Sequence, residues 1–157
     1  MIITQSPWDH FEAAYRMLLK DEGQVLTPYR CPAGFLTIGI GHNLDAQGIS
    51  EQAAAFILSE DVDLAVSAAR RIFGAIEFDE GFEVWRQLAI VNLIINLGED
   101  GFKKFKRMIA ALKARNWAQA VYELKYKSPG ELTKYAKELP KRCERVCKLI
   151  LGEEYPY

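Results

Sequence analysis

The sequence predicts an α+β protein with a small β-hairpin lobe near the amino terminus and a larger helical lobe behind it, and three observations carry the prediction. Apolar residues run at helical spacing over residues 7–22 and again through most of residues 50–151. Between them, residues 24–44 change to a period of two around the breaker Cys31-Pro32-Ala33-Gly34. The 157 residues are 50% hydrophobic and 26% charged, a balance that excludes disordered and collagen-like classes and suits one domain with its own core. The expected organisation is a single domain over 1–157, with a β-lobe over about 23–60 and a helical lobe made of about 7–22 and 61–157.

Ser6-Pro7-Trp8-Asp9 is a helix start, because a Ser N-cap, a Pro at the first helical position and an acid in the first turn all suit the orphan amides there. The helix should run to Glu22, with Gly23 placed to end it. Trp8, Phe11, Tyr15 and Leu18 form its apolar stripe, and one more step of four lands on Glu22. That step predicts a carboxyl at the end of a buried stripe, a setting in which a carboxyl keeps its proton more readily. The same spacing is compatible with an exposed Glu beside a helix end.

A hairpin follows, with strands over Val25 to Tyr29 and Phe35 to Ile40. Strand side chains alternate, so Leu36, Ile38 and Ile40 share one face while Thr37, Gly39 and Gly41 share the other. The glycine face is nearly bare, which lets something lie against its backbone. Glu22, Cys31 and Thr37 then define a cleft with an acid on one wall and two small hydrogen-bonding groups on the other.

The rest reads as helix. Ser50 caps a helix to about Leu58; Glu60 to Phe73 forms another, with Val62, Ala65, Ala69 and Ile72 inward and Gly74 as its stop. Asp79 to Leu97 is apolar around most of its circumference, hence central, and stops at Gly98. Lys103 to Ala114, Trp117 to Lys127 and Lys141 to Leu151 are amphipathic helices around it. Asn92 and Asn96 sit one turn apart on the central helix and need polar partners there. Cys143, Val146, Cys147 and Ile150 share one helical face, which makes both thiols core residues.

The longest apolar stretch, Val84 to Leu97, is interrupted by Arg86, Gln87, Asn92 and Asn96 and is too short for a membrane span. The first residues have neither a basic n-region nor an apolar h-region, so synthesis without a signal peptide is expected. Three Cys without metal spacing read as reduced thiols. The net charge of −1 conceals a polarity: residues 1–100 carry 6 Lys and Arg against 15 Asp and Glu, and residues 101–157 carry 14 against 6. A basic half can be a solvated helix bundle or a surface for an anionic polymer such as nucleic acid or cell wall, and charge alone does not choose.

Asp21-Glu22-Gly23, Tyr29, Cys31, Gly34 and the run Leu36-Thr37-Ile38-Gly39-Ile40-Gly41-His42 resemble the phage-type lysozymes, the muramidases of glycoside hydrolase family 24. That family's signature is a Glu, eight residues, an Asp or Cys, five residues, then a Thr, and Glu22, Cys31 and Thr37 fit it without a gap. Weaker similarity continues through Asp61-Val62-Asp63, Asn96 to Gly101, Phe105 and Trp117. The stretch Ser128 to Lys134 departs from the family's usual Ser-Lys-Trp-x-x-Gln run.

The resemblance implies a lysozyme-like fold with a cleft between its lobes, and hydrolysis of the β-1,4 bond between N-acetylmuramic acid and N-acetylglucosamine in peptidoglycan. Glu22 would be the general acid. Cys31 and Thr37 would position or activate water, across a gap of about 6.5–9.5 Å if the enzyme inverts. A thiolate in that role makes activity rise toward mildly alkaline pH and vanish on alkylation. Gly41, Asn96 and Arg142 would contact substrate, Arg142 would neighbour Glu22, and His42 would pair with Asp61. The pair Cys31 and His42 also suggests a cysteine nucleophile, but no third orienting group accompanies it. No metal or cofactor is implied. The expected partner is bacterial peptidoglycan, with no nucleic acid, no stable membrane insertion, a monomer, and dependence on a holin. The chain would wait in the host cytoplasm and then reach the periplasm or wall to lyse the host of a phage or prophage. A catalytically silent lysozyme-fold module that binds or scaffolds peptidoglycan is the alternative.

Overall fold

A computed structural model describes the backbone of residues 7–153 and the side chains from residue 11 onward. Helix α1 spans Pro7–Glu22, the bounds that the Pro start and Gly23 stop predict. The Ser6 cap lies outside the described residues, as do the side chains of Trp8 and Asp9. Strand β1 (Val25–Arg30) pairs antiparallel with β2 (Leu36–Gly39), with Tyr29 opposite Thr37 and Arg30 opposite Leu36.

The second strand does not continue to Ile40. Gly39 and Gly41 both take positive φ, +68° and +70°, and the chain reverses between them into a third strand, β3 (His42–Asn43), which pairs Ile38 with His42 and Thr37 with Asn43. Only glycine enters that region without steric cost, so the residues read as a bare strand face also make the turn. Asn43 then caps α2 (Leu44–Gln47) by accepting from Ala46 N at 3.0 Å.

Helix α3 is one continuous element, Glu51–Phe73, where the sequence predicts a break near residue 59. The Ser59 hydroxyl donates back to the Phe56 carbonyl at 2.7 Å, so it is satisfied within the helix rather than capping a new one. Ser50 does cap the helix, accepting from Ala53 N at 3.1 Å. Helix α4 (Ala75–Asp79) is a short element that periodicity did not reveal. Helix α5 begins at Val84 rather than Asp79 and runs to Lys103, its path broken at Gly98 (φ +70°, ψ 162°) as the glycine stop predicts. The loop between α4 and α5 is held by Gln87, whose amide nitrogen donates to the carbonyls of Phe78, Asp79 and Phe82.

Helices α6 (Lys106–Lys113) and α7 (Trp117–Lys125) follow. The stretch that departs from the family pattern then forms a hairpin of β4 (Tyr126–Ser128) and β5 (Glu131–Leu132), ahead of α8 (Lys134–Glu138) and α9 (Pro140–Leu151). The chain divides into two compact units, residues 1–55 and 56–157, so α1 falls in the same unit as the three-stranded sheet. In the second unit α5 is central: Ala89, Ile90, Leu93, Ile94 and Phe102 are buried among Phe73, Met108, Leu124 and the inward face of α9. Cys143, Val146, Cys147 and Ile150 are all buried, as their spacing predicts, and both thiols are free. Burying side chains of this size contributes about 1.5–3 kcal/mol each. Arg86 joins this core, bonding the Ile150 carbonyl at 2.8 Å, pairing with Glu83 at 2.5 Å and stacking over Trp117 at 4.2 Å.

Candidate active site

Glu22, Cys31, Thr37 and Gly41 all belong to the first unit. Glu22 ends α1 and its side chain lies on Gly41: a β-carbon there would stand 3.3 Å from Cδ and Cγ of Glu22 and 3.4 Å from Oε2. The bare backbone predicted at Gly41 therefore seats the carboxyl. Among the described residues of the stripe predicted beneath Glu22, none is buried. Phe11 is 61% exposed, Tyr15 37% and Leu18 43%, and Glu22 itself is exposed. A helical period sets which residues share a side; it does not set what covers that side.

Thr37 is the opposite case, 3% exposed on the central strand β2. Its hydroxyl lies 3.0 Å from the Phe35 carbonyl and also reaches the sulfur of half-buried Cys31. Partial loss of water pushes the Cys31 thiol up, but backbone hydrogen bonds from Phe35, Ala33 and Gly34 and the Thr37 side chain outweigh it, and the thiol sits below its ordinary value of 9.0. Thr37 has one hydroxyl hydrogen to give. The Phe35 carbonyl takes it when the sulfur is protonated, and the thiolate, a stronger acceptor, takes it when the sulfur is not.

The turn itself is closely held. Gly34 N donates to the Cys31 carbonyl at 2.8 Å and Cys31 N to the Phe35 carbonyl at 3.0 Å. Two side chains that periodicity does not single out grip the same segment: Arg30 Nη1 donates to the Gly34 carbonyl at 2.8 Å, and Asp45 Oδ2 accepts from Leu36 N at 2.7 Å. Both act on backbone groups, so no side-chain pattern announces them. His42 Nε2 shares a hydrogen bond with the Gly48 carbonyl at 2.5 Å.

Asn96 and Arg142 belong to the second unit. Asn96 is exposed and lines a cavity of about 530 Å³ with Leu97, Lys104, Tyr135 and Leu139. Arg142 donates through Nε to Asn92 Oδ1 at 2.9 Å and through Nη2 to the Asn92 carbonyl at 3.3 Å. The amide at 92 thus has its partner inside the helical unit. Among the described residues no group of three or more His, Cys, Asp or Glu is placed to hold a metal ion, and no helix is long and apolar enough to cross a membrane.

A small antiparallel sheet followed by a helical unit is the architecture in which the comparison with known proteins places this chain. A sequence model of the phage lysozyme family matches residues 20–143. The chain is 24% identical to the probable T4-type lysozyme 2 of Dictyostelium discoideum, over 85% of this chain and 91% of that protein. It is 29% identical to the pre-baseplate central spike protein Gp5 of Enterobacteria phage T4, over 86% of this chain and 27% of Gp5. The chain belongs to the phage lysozyme family. It is a glycosidase of the muramidase class, with peptidoglycan as its substrate.

Proposed function

We propose that Glu22 is the general acid of this lysozyme and that Cys31 and Thr37 position and activate the attacking water. The observation that supports this is the hydrogen-bonded seat of the Cys31 sulfur, built from three backbone groups and the Thr37 hydroxyl. Glu22 gives its proton to the glycosidic oxygen as the bond to the anomeric carbon breaks. Water adds to that carbon and passes a proton to the Cys31 thiolate, and exchange with solvent restores both groups. Gly41 seats the Glu22 carboxyl; contacts from the Gly41 backbone, Asn96 and Arg142 to the saccharide belong to the same proposal.

Release of new reducing ends from purified peptidoglycan tests it. Glu22→Gln is expected to lose about 10³-fold in rate, within the range for a general acid, while still pelleting with sacculi. Alkylation of Cys31 should abolish turnover. Wild-type rates from Glu22→Gln would overturn the assignment, and full activity after alkylation would remove Cys31 from it. Lysis of a bacterial host by a phage or prophage, with a holin opening the route to the wall, extends the reading. Expression inside bacteria should then lyse cells only when a pore-forming protein is co-expressed, and lysis without one would refute that dependence.

A further inference from the structure

Cys31 is served by two consecutive peptide planes, and each is gripped from the other side by a side chain with no assigned role. In the Gly34–Phe35 plane, the Phe35 backbone hydrogen-bonds to the Cys31 sulfur, while the carbonyl oxygen of Gly34 accepts from Arg30 Nη1 at 2.8 Å. In the Phe35–Leu36 plane, the carbonyl oxygen of Phe35 accepts from Cys31 N and lies 3.0 Å from the Thr37 hydroxyl, while Leu36 N donates to Asp45 Oδ2 at 2.7 Å. A charged partner on one end of a peptide polarises it, which strengthens the hydrogen bond at its other end. Arg30 thereby aims and strengthens the Phe35 donor, and Asp45 fixes the carbonyl that holds Cys31 and Thr37 in register. Gly34, at φ +88°, allows the turn that brings both planes around the sulfur.

We propose that Arg30 and Asp45 are positioning residues of the reaction, acting through the two peptide planes that hold the Cys31 sulfur and the Thr37 hydroxyl. The inference rests on the reading above in which Cys31 activates water. Neither side chain needs to touch substrate. The titratable and charged groups on the elements packed against this segment are Tyr29 and Arg30 on β1, His42 on β3 and Asp45 on α2. His42 is engaged with the Gly48 carbonyl; Arg30 and Asp45 are the ones that grip the two planes.

The test reads the thiol and the reaction separately. Native full-length protein is alkylated with iodoacetamide across a pH series, the Cys31 peptide is quantified by mass spectrometry, and kcat and KM on peptidoglycan are measured in parallel. In Arg30→Met, alkylation of Cys31 at pH 7 should slow about threefold, since a weakened donor leaves less thiolate; Asp45→Ala removes an acceptor and a carboxylate charge, so it should lower kcat about threefold through the lost register of Thr37 without slowing alkylation. In Arg30→Met the alkylation midpoint should move to higher pH, and in both variants kcat should fall with KM unchanged. Arg30→Lys, which keeps a cationic donor, and Asp45→Asn, which keeps an acceptor, should restore most of the loss. Far-UV circular dichroism reports whether each variant is folded, and the two positions are independent arms. An unchanged alkylation profile in Arg30→Met, or an unchanged kcat in Asp45→Ala, would overturn the proposal for that residue. Slowed alkylation of Arg30→Met with an unchanged kcat would show that Arg30 supports the sulfur but not the reaction, and would remove Cys31 from the chemistry.

Discussion

Among the described residues every buried hydrophobic side chain lies in residues 56–157, whereas in residues 11–55 the one buried side chain is that of polar Thr37. The helical unit is held by apolar contact around α5. The unit that carries the acid and the thiol is held by strand pairing, positive-φ glycines, and the side-chain grips of Arg30, Asn43 and Asp45 on backbone groups. Hydrogen-bonded construction fixes direction, because donors and acceptors must align, while apolar burial supplies free energy without direction. The proposed role of Cys31 and Thr37, which needs aimed donors, falls on the first kind of structure.

The largest expected effect on stability is in the helical unit. Phe102, fully buried against Phe73 with ring centroids 6.3 Å apart, should cost about 3–5 kcal/mol on replacement by Ala, measured by urea denaturation. A cost below about 1 kcal/mol, within the range of an ordinary surface change, would break the contrast between the units. Next comes Gly41→Ala. A β-carbon in the left-handed region costs about 1–2 kcal/mol, and this one also presses on Glu22 at 3.3 Å. About a tenfold loss of kcat is expected, since small misplacements of a catalytic group are costly; wild-type kcat would show that Glu22 does not depend on its seat.

A smaller effect separates the units by pH. Hydrogen bonds from Arg71 and then Lys103 hold Glu99 down at about 2, from an ordinary 4.5, despite an opposing desolvation. A depressed carboxyl adds stability that is present above its unfolded value and is lost as pH falls toward the folded one. The helical unit should therefore lose this contribution between about pH 4.5 and pH 2. Acid titration of Glu99→Gln, followed by circular dichroism, should lack that part of the transition, and an identical acid limb would contradict the assignment. The Arg71 and Glu99 side chains are both partly solvated, which keeps the effect modest.

The smallest change has the opposite sign. Tyr135 is 5% exposed and its hydroxyl has no hydrogen-bond partner among the described residues; burial first, then the neighbouring Cys143, pushes the phenol up to about 12. Tyr135→Phe removes an unsatisfied polar atom and should leave stability unchanged or raise it by up to about 1 kcal/mol. A loss of more than that would reveal a partner for the hydroxyl.

Much of this was legible in local sequence. The bounds of α1, the breaker that becomes the Cys31 turn, the Gly98 interruption and the buried face of α9 all follow from spacing over fewer than five residues or from single Gly and Pro positions. Glu22, Cys31 and Thr37 could be singled out together because the resemblance rests on a contiguous stretch of sixteen residues, 22–37. The third strand, the second hairpin and α4 were not legible, since each is two to five residues long, too short to show a period. Nothing at residue 59 breaks α3, because the Ser59 hydroxyl finds its acceptor within the helix at the Phe56 carbonyl.

Sequence by itself determined which residues share a helix face, where glycine and proline stop or turn the chain, and the order of acid, thiol and hydroxyl along it, because these depend on backbone geometry within a few residues. Tertiary structure decided the rest. It left the α1 stripe exposed where burial was predicted, enclosed Thr37, laid Glu22 on Gly41, gave Arg142 to Asn92, and set Arg30 and Asp45 on the planes behind Cys31. Burial and hydrogen-bond partnership depend on which distant groups arrive and on what water they displace, and a local pattern carries neither.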